Sequence, residues 1–168
     1  LKVQSNGVRN TFDLDPAAPG VNFPRDQANA TPYGIQVSDD NQTLFVTASS
    51  SSKFITMTTN GAILDEISVG AMPRGIAIQN DAQGRPAIAW VLNSVDNTVS
   101  KVNVANTSNI SVAATITLND RIPAQMKRGR FAFNNALASE SGTFACASCH
   151  PDGHTDQLLW VLDTPHII

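Results

Sequence analysis

From residue 31 to 118, apolar and β-branched residues come in short runs that alternate with polar ones and break at turn-forming clusters. This period-two pattern predicts strands near 33–38, 43–48, 53–58 and 62–69, then near 74–79, 86–92, 97–104 and 110–118. Leu44, Val46, Phe54, Ile55, Ile63 and Ile67 supply side chains that pack well on a pleated surface. Asp39-Asp40-Asn41, Asn60-Gly61 and Asp96-Asn97 read as tight turns, and Asp81 to Gly84 as a longer hairpin.

The eight strands fall into two units. Thr31-Pro32-Tyr33-Gly34-Ile35 recurs 41 residues later as Met72-Pro73-Arg74-Gly75-Ile76. A period of about 40–45 residues with four strands per unit is the signature of propeller blades. In the shared Pro-x-Gly-Ile, Pro fixes the approach to an innermost strand, and Gly permits close backbone packing near a crowded axis. The plainer alternative is two unrelated meanders that share a turn. Two blades leave a ring open, so the pattern implies further blades or a second chain to complete it.

Either side of this region the pattern changes. Residues 1–30 read as a loop or the remnant of a preceding blade, with Leu1-Lys2-Val3 and Val8 to Phe12 as short strand candidates. Residues 121–168 form a third unit. There Ala124 to Ala138 has helical composition, and Phe133, Ala136 and Leu137 sit at i, i+3 and i+4 on one predicted face. Lys127, Arg128 and Arg130 read first as a solvated basic face, second as a docking surface whose arginines could pair with carboxylates. The expected fold is therefore mainly β: a partial β-propeller of two four-stranded blades, followed by a small α-helical segment.

Composition narrows the classes of function. The net charge of −3 gives no electrostatic footprint for nucleic acid or an anionic membrane. No apolar run approaches the roughly 20 residues of a membrane helix. Residue 1 is Leu and no signal-peptide pattern follows, so a processed or truncated product is expected.

Chemistry concentrates in Cys146-Ala147-Ser148-Cys149-His150, which holds both cysteines of the chain. C-x-x-C-H is the attachment pattern of haem c. Two thiolates at this spacing reach the two vinyl groups of one porphyrin, and the adjoining His150 becomes the proximal ligand of the iron. Three other readings remain: a short-loop disulfide, a redox dithiol, and a zinc site of Cys146, Cys149, His150 and His154. Covalent haem attachment takes place outside the cytoplasm, so the motif implies a periplasmic or otherwise extracytoplasmic protein.

The stretch Arg128-Gly129-Arg130 with its following Phe, then Cys146 to Gly153, Asp156 and Trp160, resembles the cytochrome c domain appended to bacterial YVTN-type β-propeller proteins. That domain is itself related to di-haem peroxidase-like domains. The resemblance covers about residues 31–168 and implies a cytochrome c-like module at 121–168. In that family the cytochrome region continues further, often with a second haem motif. This chain carries a single C-x-x-C-H, which puts di-haem peroxidase activity in doubt.

Pro151-Asp152-Gly153 reads as a turn that folds the chain back along the haem edge. Leu158, Leu159, Trp160, Val161 and Leu162 form an apolar run suited to excluding water beside a haem. Candidate distal ligands are His166, after Thr164-Pro165, and Met126. His154, four residues from His150, is discounted, and Met57 and Met72 lie within the blades. Three functions follow from the motif. The first is an electron-transfer cytochrome with a redox partner protein. The second is a haem enzyme of peroxidase or oxidoreductase type with an open distal site. The third is a propeller that binds a ligand and carries an accessory haem.

Overall fold

The computed structural model describes residues 2–3, 9–10, 12–14 and 24–158. Lys2–Val3 (β1) and Arg9–Asn10 (β2) pair antiparallel. Pro32–Val37 (β3), Thr43–Ala48 (β4), Lys53–Thr58 (β5) and Ile63–Ser68 (β6) form one antiparallel meander in chain order. Pro73–Asn80 (β7), Pro86–Asn93 (β8), Thr98–Asn103 (β9) and Ser111–Thr117 (β10) form a second. The chain is thus mainly β, with two four-stranded sheets whose strands fall close to the positions that the alternation predicts. The turns sit where Asn or Gly was expected: Asn41 (φ 57°), Gly61 (φ 94°) and Asn97 (φ 55°) all take the left-handed conformation that reverses a strand.

Alternation decides which face each residue serves. Phe45 and Phe54 project from the first sheet toward the second, their rings stacked 6.2 Å apart and 9° from parallel. They meet Ala89, Val91, Val102, Val104 and Ile110 in the main core. Burying each of these Phe, Val and Ile side chains contributes on the order of 1.5–3 kcal/mol. The neighbours Val46, Ile55 and Met57 point the other way and form a second apolar layer with Leu14 and Leu44. A sheet apolar on both faces belongs between two others. Polar bonds close the outer edge of the contact: Ile110 N–H donates to Asp65 Oδ2 at 2.7 Å, and Thr56 Oγ1 to the Thr107 carbonyl at 2.6 Å.

The edge strand β7 packs across β3 and β4. Gly34 makes this approach possible, because a Cβ there would lie 2.2 Å from the carbonyl oxygen of Arg74. Gly75, at the matching place in the second unit, meets nothing closer than the Leu92 Cβ at 3.4 Å. The expected close packing therefore holds at Gly34, and at Gly75 no described backbone demands it. The outer sheet faces are open: all of β10 is exposed, as are Ile35 and Val37 on β3.

Thr31 and Met72, each just before the repeated proline, have φ of 55° and 56°. A residue before proline normally prefers extended backbone. Here the kink turns its carbonyl to the residue just past the next strand, where Ser49 N–H donates to Thr31 O and Ser94 N–H to Met72 O.

The last segment corrects one sequence expectation. The helix runs only from Ala124 to Asn134 (α1), not to Ala138. Asn135 leaves the helical region, its side chain accepts the Leu137 N–H, and a single 3₁₀ turn follows at Ala136–Ala138. Short polar side chains that bond their own backbone compete with a helix in this way. Phe133, Ala136 and Leu137 accordingly share no helical face: Ala136 is buried with Ala30 and Ala145, whereas Leu137 is exposed.

Candidate functional site

Cys146–Cys149 form a one-turn helix (α2) that ends at His150. Its entry is held by Ala145 N–H donating to Ser148 Oγ at 3.0 Å, and its exit by His150 N–H donating to the Cys146 carbonyl at 3.0 Å. The three-residue spacing brings both thiols to one side. Cys146, Cys149 and His150 line one open groove with Phe144, Ala145 and Ala138. Both cysteines are free thiols, Cys146 exposed and Cys149 partly so. The groove's walls are mostly apolar, and Phe144 is 43% exposed. Accessible thiols beside an apolar surface, with an exposed imidazole next to them, fit covalent haem attachment. They do not gather zinc ligands: among the described residues, no group of three or more His, Cys, Asp or Glu side chains is placed to hold a metal ion by itself.

The predicted turn follows His150. Pro151–Gly153 make a 3₁₀ turn with Asp152 at φ 52°, and Gly153 N–H donates back to the His150 carbonyl at 3.1 Å. Asp156 N–H reaches the Cys149 carbonyl at 3.2 Å. Asp152 then forms an ion pair with Arg74 of β7, Nη2 to Oδ1 at 2.8 Å. Behind it, Phe133 of α1 stands 6.5 Å from the His150 ring at a 43° tilt. Arg74, Met72, Arg130, Phe133 and Asp152 border a cleft of about 510 Å³ between the second sheet and α1.

The basic residues of α1 divide. Lys127 pairs with Asp120, which lowers the Asp120 pKa first through that hydrogen bond and next through the Ile122 N–H. Arg130 reaches the Ser94 carbonyl at 3.5 Å, and Arg128 remains exposed. The solvated-face expectation thus holds for Arg128 and Arg130, both exposed, while Lys127 ties α1 to Asp120. Met126, a distal-ligand candidate, lies on α1 and is 61% exposed. Met57 and Met72 are buried, and His154 is exposed beside the turn. His166, Trp160, Leu159, Val161 and Leu162 lie outside the described residues. The sequence reading missed Arg74 and its pairing with Asp152; its repeat position marked the residue as structural only.

No helix among the described residues is long and apolar enough to cross a membrane. No protein-family model and no curated protein sequence matches the chain. Solved structures resemble parts of it. A functionally unknown protein from Desulfotomaculum acetoxidans is 22% identical over 53% of this chain and 29% of its own, with a TM-score of 0.45. Kuenenia stuttgartiensis hydrazine synthase is 21% identical over 62% of this chain and 27% of its own, with a TM-score of 0.46. Streptogramin B lyase is 19% identical over 54% of this chain and 27% of its own, with a TM-score of 0.40. In each case the matched part is less than a third of the other protein, and likenesses at this level carry no argument about function.

Proposed function

We propose that this chain is a c-type haem protein that transfers electrons outside the cytoplasm, with a redox partner protein as donor or acceptor. Cys146 and Cys149 hold the porphyrin through thioethers, and His150 is the proximal iron ligand. The observation that supports this most is the shared groove: two free thiols and an exposed imidazole on one apolar surface. When bound, the haem supplies a one-electron couple at its iron. The chain's own part is to hold and shield. The α2 turn sets the thiol spacing, the Pro151–Gly153 turn fixes the backbone after His150, and Phe144 with its alanine neighbours excludes water. His166 and Met126 are the chain's candidates for a distal ligand. The two sheets belong to a propeller that further blades or another chain complete, and the open faces of β3 and β10 support this.

The test is expression with haem-maturation machinery. Haem should remain on the chain in a denaturing gel and be lost in Cys146→Ala/Cys149→Ala. Absence of any Soret band in the purified protein would overturn the haem assignment. A low-spin six-coordinate spectrum unmoved by CO supports the electron carrier. A high-spin ferric form that takes CO or peroxide would replace it with the haem-enzyme alternative.

A further inference from the structure

We infer that Arg74 is a positioning residue for His150, a role that rests on the haem assignment above for its chemistry but not for its geometry. Arg74 lies 78 residues from Asp152 in the chain and bonds it at 2.8 Å. Asp152 is only two residues beyond His150, in a turn that Pro151 stiffens and that returns the Gly153 N–H to the His150 carbonyl. The guanidinium is itself held: its carbon sits 4.4 Å from the centre of the Tyr33 ring. Tyr33 is the repeat counterpart of Arg74, so the arginine touches both sheets and the turn at once.

An isolated, part-exposed ion pair orders little. This one differs because both ends are restrained. Stacking on Tyr33 limits the arginine to few rotamers, and the left-handed backbone at Asp152 limits the carboxylate. Fixing Asp152 fixes the turn, and with it the backbone from which the imidazole projects. Phe133, on the border of the same cleft, faces the ring itself. The result is a continuous chain of contacts from the seam between the two sheets to the proposed iron ligand, with Arg74 acting through Asp152 and touching no reacting atom.

The test uses the full chain in two forms. In the haem-free chain, hydrogen exchange is read at the Gly153 amide in wild type, Arg74→Ala, Arg74→Lys and Asp152→Asn. Arg74→Ala and Asp152→Asn should each speed exchange about fivefold, the scale of a part-exposed ion pair. The double variant should add nothing further, and Arg74→Lys should recover part of the protection. Asp39→Asn is the control, because Asp39 joins the two sheets through Asn80 at 2.7 Å, on a different polar bond. It should leave Gly153 unchanged. In the haem-loaded chain, Arg74→Ala should keep its covalent haem yet split the ferric EPR signal into several ligand-field species, and Arg74→Lys should restore one. Unchanged exchange in Arg74→Ala, or equal acceleration in Asp39→Asn, overturns the inference whether or not haem is bound. A retained haem with an unsplit signal overturns the link to His150 while leaving the haem assignment intact.

Discussion

The carbonyl oxygen of Arg74 occupies the space that a Cβ on Gly34 would need, at 2.2 Å. This contact between the first strands of successive sheets sets how closely the two units approach. Gly34→Ala should therefore force the sheets apart and cost about 1–3 kcal/mol in urea denaturation, as overpacking does. Gly75→Ala meets only the Leu92 side chain at 3.4 Å and should change stability by less than about 0.5 kcal/mol. Equal losses at the two positions would refute the close-approach argument.

Thr31 holds a β-branched side chain at φ 55°, a conformation that Asn tolerates far better. Thr31→Asn should raise stability by about 0.5–1 kcal/mol in the same measurement. A loss would mean that the Ser50 Oγ to Thr31 Oγ1 bond at 2.9 Å outweighs the strain.

Asp120 has its pKa lowered, first by Lys127 and then by the Ile122 amide. A carboxylate with a depressed folded pKa stabilises fully above its unfolded value of about 3.9 and loses that contribution as pH falls through the lower folded value. Wild type should thus exceed Asp120→Asn in stability at pH 6, and the gap should close on acidification below pH ~4. Thermal melts across that range check it; a gap that widens in acid would contradict the pairing.

Phe54 is fully buried and stacks on Phe45 between the two sheets. Phe54→Ala should cost about 3–5 kcal/mol, from lost transfer energy and the cavity left behind. Equilibrium unfolding measures this directly, and a loss under about 1 kcal/mol would show that the sheets collapse around the gap.

The strands were legible because alternation and turn chemistry are local. Asn41, Gly61 and Asn97 reverse the chain for reasons contained within a few residues. The end of α1 was less legible: Phe133 and Leu137 keep a helical spacing, and only the backbone bond at Asn135 reveals the break. That adjacent Asn134 and Asn135 were the available signal, since both favour caps over helix interiors.

By itself the sequence determined two repeats of four strands and a self-contained Cys146-to-His150 motif, because both depend on spacing along the chain. Tertiary structure decided the rest. It set Arg74 on Tyr33 and Asp152, and Phe133 beside His150. These partners come from different elements, and only packing two apolar sheet faces and seating α1 against the second sheet brings them together.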